Sequence, residues 1–337
     1  MPATAVELLV TGVRSPLASV TVGRALLDFA QDVLGIVRAR GDRRLVLVLA
    51  HAALLEAFRG ERERAETLCR EAAELAGDPD ADDLYNVWAA QNWLRLSVGD
   101  LVGAGECFAR IIAWASRNGF DFERAVITAG SWLILEQAGL QDASVDDFRV
   151  VVELSRRVGA PSAIAMSLAI LAQLLVRTDP DAAHASLLEA AEWIEALGPA
   201  FVEDATLATI GMVAAHLGEV EIALAAARRA LDRGASSTML LAALLEVVAD
   251  TVASAAPRGA ASLHGAIDVL APGMEQVFDT RPSAVEHIAA ASDPSTIEHD
   301  RAAGAQLTAR EATDLARTLA SRALDETRSS VAVRPAL

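Results

Sequence analysis

The feature that most constrains this chain is a period. Breaks in the helical pattern fall at Gly60, Gly99, Gly139, Asp179, Gly218 and Pro257, separated by 39, 40, 40, 39 and 39 residues. A second series, Gly41, Gly77, Gly119, Gly159, Gly198, Gly234 and Gly273, runs in phase with it. Glycine suits the left-handed position that follows a helix, so the second series reads as helix ends and the first as hinges within helix pairs. A single globular bundle has no reason to keep such spacing. Two helices per repeat at this period predict an all-α chain, a right-handed α-α superhelical solenoid of helix-turn-helix repeats.

The clearest copy is Asp42 to Gly77. Its first half, Leu45 to Phe58, is apolar nearly all round, as a helix buried on most sides must be. In its second half Ala65, Leu68, Cys69, Ala72, Ala73 and Ala76 recur at helical spacing, with Glu61, Arg62, Glu66, Arg70 and Glu74 opposite. Such a pair cannot bury its own apolar surface and needs neighbours. Further pairs run Asp82 to Gly119, Phe122 to Gly159, Pro161 to Gly198, Glu203 to Gly234 and Ser236 to Gly273. Residues 1–41 read as a degenerate first repeat or N-terminal cap, 42–273 as the repeat array, 274–328 as a C-terminal capping loop and helices, and 329–337 as a disordered tail. Within the cap, Phe278 to Ala303 reads as loop with one short helix over Ala284 to Ala291, and Leu307 to Thr327 as a last helix with Thr308 and Glu311 placed for a capping box.

Composition narrows the chemistry. Hydrophobic residues make up 53% and aromatics 4%, with Ala and Leu dominant, which favours helix over strand and supplies a large core. All 29 basic residues are Arg, so there is no Schiff-base lysine and no P-loop lysine. A formal charge of −17 repels phosphate, which argues against direct nucleic-acid binding and against anionic membranes. The N-terminus lacks the basic region of a signal peptide, and apolar runs such as Ala163 to Val176 are shorter than the roughly 20 residues a membrane span needs. A cytoplasmic location is the expectation.

Catalytic and metal motifs are missing. The six histidines, His51, His184, His216, His264, His287 and His299, form no HExxH and no Cys/His cluster, so no metal or cofactor is expected. Cys69 and Cys107 occupy corresponding points of consecutive second helices and read as small buried apolar residues. The acidic run from Asp78 has Asp83 at the sixth position and Ala89 at the twelfth, so it lacks the Gly and Glu of a calcium loop and reads as helix-start chemistry. Gly103-x-Gly105 has no strand before it, and no Gly-x-Ser-x-Gly elbow occurs. The chain reads as non-enzymatic.

Five residues past each break stand Ala65, Ala104, Ser144, His184, Ala223 and Ser262, and nine past it Cys69, Phe108, Phe148, Leu188, Ala227 and Ala266. This resembles the tetratricopeptide pattern, although the repeat is about five residues longer than the usual ~34 and its first helices lack the Trp, Leu-Gly and Tyr signature. A narrower resemblance is to the helical-repeat regions of large bacterial signalling regulators, the LuxR-type ATP-binding activators and the proteins that join a cyclase domain to an NTPase and repeats. Leu34 to Gly77 has their cadence. Ala260-Ala261-Ser262-Leu263-His264-Gly265-Ala266-Ile267-Asp268-Val269-Leu270 looks like the Ala-Ala-Arg-Leu-Leu-Gly-Ala-Ala-Glu-x-Leu helix that closes those arrays. Gly304-x-x-Leu307-Thr308-x-x-Glu311-Ala312-x-x-Leu315-Ala316 is similar to their final helix. Their NTPase, cyclase and complete DNA-binding domains have no counterpart here, so the chain reads either as a stand-alone protein or as the severed end of a longer regulator.

The resemblance implies a protein or peptide partner in bacterial signalling or transcriptional regulation. In the tetratricopeptide register the first helices would line a groove with Asn86, Trp93, Leu133, Glu136, Gln137, Gln173, Arg177, Met212 and His216. The alternative is a sensor, with a small-molecule effector between the apolar first helices, and Trp93 and Leu133 can equally belong to the core between repeats.

Overall fold

The computed structural model describes residues 23–40, 44–58, 61–78, 81–96, 98, 100–137, 145–195, 201–235, 238–272 and 281–332. Among these there is no strand, and the chain is all-α. The helices are α1 (Gly23–Arg40), α2 (Leu45–Phe58), α3 (Arg62–Ala76), α4 (Tyr85–Leu96), α5 (Leu101–Asn118), α6 (Asp121–Gln137), α7 (Val145–Val158), α8 (Pro161–Leu175), α9 (Pro180–Glu195), α10 (Phe201–Leu217), α11 (Val220–Arg233), α12 (Thr238–Val252), α13 (Pro257–Leu270), α14 (Arg281–Ala291), α15 (Pro294–Gly304) and α16 (Ala309–Ala332). From α2 to α13 they fall as six pairs, each within one of the spans marked out by the glycines. Gly41, Gly60, Gly99, Gly139, Gly198 and Gly273 lie outside the described residues.

Local chemistry sets these boundaries. The side chain of Asp100 accepts from the Gly103 N–H at 2.9 Å and caps α5, an interaction that stabilises a helix by about 1 kcal/mol. Gly77 and Gly119 end α3 and α5 at φ 70° and 71°, and their N–H groups reach the Ala73 and Ala115 carbonyls. Every positive φ among the described residues is a glycine, and all five belong to the two series read from the sequence.

The register of the second helices is set by the cap rather than by the break. Ala65, Ala104, Ala183, Ala223 and Ala260 each lie four residues past the residue that opens the helix. Each donates the first intrahelical hydrogen bond, to Glu61, Asp100, Asp179, Glu219 and Ala256 respectively, at 2.9–3.0 Å. All five are fully buried. A methyl group at this level lets a neighbouring helix come close while leaving no void. Counting from the break instead points to His184 and Ser262, which are half-buried, and to Leu188, which is 42% exposed. The tight position is Ala183 in α9 and Ala260 in α13, because hinge length differs between pairs.

The chain divides into two compact units, 1–167 with 197–202, and 168–196 with 203–337. In the first, each helix packs on its sequence neighbour from α1 to α7, and α2 also packs on α4, first helix against first helix. A continuous core runs from Ala30 through Leu49, Leu54, Leu84 and Trp88 to Ile111 and Trp114, with Trp114 stacked between Tyr85 and Phe120. Burial pushes the Cys69 thiol up to about 12, with Glu66 and the nearby Cys107 adding to the rise; both cysteines are free.

In the second unit, α12 packs between α11 and α13, and α16 lies across α11, α12 and α13. Arg317 of α16 donates to the Leu231 carbonyl at the end of α11 and pairs with Asp232 at 3.2 Å. The segment from Phe278 to Ala303 differs from its reading as loop with one short helix. It holds α14 and also α15, whose start is made by Asp293 accepting from Thr296 N–H at 3.0 Å with Pro294 in the first turn. That Asp-Pro signal was present in the sequence and outweighs the loop character of Pro294. The capping box at α16 forms: Thr308 N–H donates to Glu311 at 2.8 Å and Glu311 N–H to Thr308 Oγ1 at 3.3 Å. The helix continues to Ala332, past Ser329, and residues 333–337 lie outside the described residues.

Candidate functional site

The residues read as groove-lining do not share one environment. Asn86, in the first turn of α4, is 1% exposed, so it belongs to the interior of the first unit and not to an open face. Neither polar atom of its amide has a hydrogen-bond partner. Trp93, two turns on, is half-buried. Leu133, Glu136 and Gln137 fall in the last turns of α6, where side chains are outside the described residues. In the second unit Gln173 and Met212 are half-buried, and Arg177 and His216 are exposed. The Gln173 side-chain oxygen is buried and has no hydrogen-bond partner. Gln173 to Met212 and Arg177 to His216 are each 39 residues; Gln173 and Met212 lie on the consecutive first helices α8 and α10, while Arg177 stands in the turn just past α8 and His216 in the last turn of α10.

The densest chemistry lies elsewhere, in the last pair and the helices that cap it. Glu246 and Asp250 stand one turn apart on α12 and so share a face. His264 and Asp268 bear the same relation on α13, Arg281 opens α14, and Arg301 lies on α15. His264 Nε2 is 3.2 Å from Asp250 Oδ1 and 3.7 Å from Glu246 Oε1. Arg281 Nε is 3.2 Å from Glu246 Oε1, and its Nη2 is 2.8 Å from Asp268 Oδ1. The other oxygen of Asp268 meets Arg301 Nη2 at 2.5 Å. Side-chain exposure rises along this path, from 0% at Glu246 and 2% at His264 through 8% at Arg281 to 46% at Arg301. The network therefore runs from the core to the surface.

Its outer end borders an open cleft of about 590 Å³, lined by Val269, Ala289, Pro294 and Ile297 with Asp268 and Arg301 among them. One wall of the cleft exists because α13 and α15 touch backbone to backbone. A Cβ on Gly265 would stand 2.0 Å from the Arg301 carbonyl oxygen, and one on Gly304 would stand 1.9 Å from that of Ser262. Arg258 of α13 adds a two-bond grip on Asp300 of α15, at 2.8 and 3.0 Å, and this guanidinium holds the Asp300 carboxyl below the usual carboxylate range.

His264, Asp250 and Glu246 form a donor set of one imidazole and two carboxylates, with ligand atoms all within 4.8 Å of one another. No motif spacing advertised it, because its members come from two helices. The one available signal was periodic. Eight residues past the helix-opening position stand Cys69, Phe108, Leu187 and Ala227, all buried, and the same place in α13 is His264. Other buried charges are structural in their geometry. Glu203 of α10 sits between Arg229, at 2.7 Å, and Arg233, both on α11. Glu56 of α2 accepts from Gln31 at 2.8 Å and pairs with Arg64 at 3.0 Å. The chain matches no protein-family model, no curated protein and no solved structure.

Proposed function

We propose that the chain is a non-catalytic, tetratricopeptide-like helical-repeat scaffold, stacked as a right-handed solenoid, that holds a protein or peptide segment within a bacterial signalling or transcriptional regulatory system. The observation that carries this reading is the 39-residue match of Gln173 with Met212 on the consecutive first helices α8 and α10, with Arg177, just past the end of α8, matching His216 in the last turn of α10. At one level the pair is half-buried, and at the other it is exposed. An extended or helical segment laid across such helices meets the same two levels repeatedly, a thioether or amide for its contact face and a charged or imidazole group for its rim. The orphaned oxygen of Gln173 suits a backbone N–H of that segment, since a buried acceptor left unmade costs about 1–3 kcal/mol.

A peptide array probed with the full chain tests this. Arg177→Glu and His216→Glu are expected to weaken the peptides that bind, while Arg149→Glu, on the exposed face of α7, leaves them unchanged. Binding that survives both groove substitutions at wild-type strength removes the groove.

The cleft beside Asp268 and Arg301 favours a second reading, a sensor for a small molecule, because its volume lies in the range of ordinary ligand sites. A thermal-shift screen of polar metabolites addresses it. A hit should be lost in Arg301→Ala, and a screen with no stabilising compound counts against the sensor.

A further inference from the structure

We infer that Glu246, Asp250 and His264 form a buried binding site for one divalent first-row transition ion of the zinc class, with Arg281 as the group that stands in for the ion when it is absent. The inference does not rest on the peptide-binding reading, because its ligands are buried in the core and include none of the groove residues.

Geometry comes first. Bonds of about 2.0–2.1 Å to nitrogen and oxygen in a tetrahedral site place neighbouring ligand atoms about 3.3–3.4 Å apart. His264 Nε2 lies 3.2 Å from Asp250 Oδ1 and 3.7 Å from Glu246 Oε1, so a shift of a few tenths of an ångström brings both edges to that value. Three protein ligands leave a fourth position for water, the pattern of an open site. An imidazole with two carboxylates suits zinc, cobalt or manganese better than the all-oxygen shells that calcium and magnesium take.

Charge points the same way. Glu246, Asp250 and His264 side chains are between 0% and 4% exposed. Two carboxylates so placed repel each other, and a dication on a neutral imidazole neutralises the trio without leaving net charge in the core.

Arg281 supplies the exchange. Its Nε holds Glu246 Oε1 at 3.2 Å, while its Nη2 separately holds Asp268 at 2.8 Å. When the ion takes Glu246, the guanidinium keeps Asp268 and is not stranded. Asp268 lines the cleft, so occupancy of the buried site and the position of the cleft's charged wall are mechanically linked through one side chain.

Titration of the metal-free full chain with zinc by calorimetry, and with cobalt by visible absorption, tests the site. One equivalent per chain is expected, with cobalt bands characteristic of low coordination number. Asp250→Asn, which keeps side-chain shape, and His264→Gln should each weaken binding by at least about tenfold, the scale on which even supporting residues of metal sites act. Arg281→Met, which removes the competing cation, should tighten it. Circular dichroism checks that each variant is folded, and X-ray absorption of the wild-type zinc or cobalt form reads the ligands without any substitution. No stoichiometric binding by the wild type, binding that Asp250→Asn leaves intact, or a metal shell without one nitrogen and carboxylate oxygens overturns the assignment.

Discussion

Gly265 offers the sharpest test of how the last helices are held. In Gly265→Ala the new methyl carbon would stand 2.0 Å from the Arg301 carbonyl oxygen, 2.8 Å from its carbonyl carbon and 3.0 Å from its Cα. Ordinary van der Waals contact needs about 3.4 Å or more, so α13 and α15 must separate by over an ångström. The obstacle is backbone on a helix, not the end of a flexible side chain, and rotamer change cannot relieve it. Separation also strains the Arg258–Asp300 grip and the Asp268–Arg301 pair. Overpacking costs typically 1–3 kcal/mol, and a backbone-to-backbone clash belongs at the upper end, about 3 kcal/mol. For a unit of this size that corresponds to a loss of roughly 6–12 °C in Tm, read by circular dichroism or by urea titration. Gly35→Ala is the internal control, because its Cβ meets nothing within 4 Å and its helical position favours alanine; it should stabilise by about 0.5–1 kcal/mol. A Gly265→Ala chain that melts within about 2 °C of wild type would refute the close crossing.

Four further outcomes follow from local chemistry. Gly77→Ala meets no atom within 4 Å, yet at φ 70° it should cost about 1–2 kcal/mol through backbone strain alone, whereas asparagine there should cost less. Burial lowers the His51 pKa from 6.5 to about 3, so the unfolded chain binds a proton that the folded chain refuses. Its contribution is therefore complete above the unfolded value and is lost as pH falls from 6.5 towards 3, and His51→Leu should flatten that part of a stability-against-pH curve. Hydrogen bonds from Ser295 and Thr296 hold the Asp293 carboxyl, and those from Thr308 the Glu311 carboxyl, below the usual range. Their stabilisation is present above about pH 4 and lost as pH falls through the depressed values, so Asp293→Asn and Glu311→Gln should reduce acid sensitivity. Cys69 and Cys107 should resist a thiol reagent at pH 8 until urea unfolds the chain, because both are buried and protonated. Rapid labelling of the native protein would contradict that burial.

Much of the helical plan was legible because its signals are short-range. A left-handed glycine, an Asp that accepts an N–H three residues on and an apolar face that repeats each turn act over a few residues, whatever the rest of the chain does. That is why Gly77, Gly119 and Thr308 end and begin helices where the sequence places them. The reading weakened wherever register decided the outcome. Counting from Pro257 instead of from Ala256 moved the tight position from Ala260 to Ser262, and Asn86, polar and in a first helix, turned inward.

What the sequence by itself determined is a chain of paired helices without strands among its described residues, with glycine at their left-handed ends. Tertiary structure alone decided that Glu246 and Asp250 of one helix face His264 of the next, that Arg281 and Arg301 from beyond the last pair complete that charge path, and that α15 lies in backbone contact with α13. The physical reason is that helix formation is settled by dihedral preferences and by hydrogen bonds four residues apart. Which side chains meet across two helices depends on their rotation and separation, and those follow from the packing of every side chain between them.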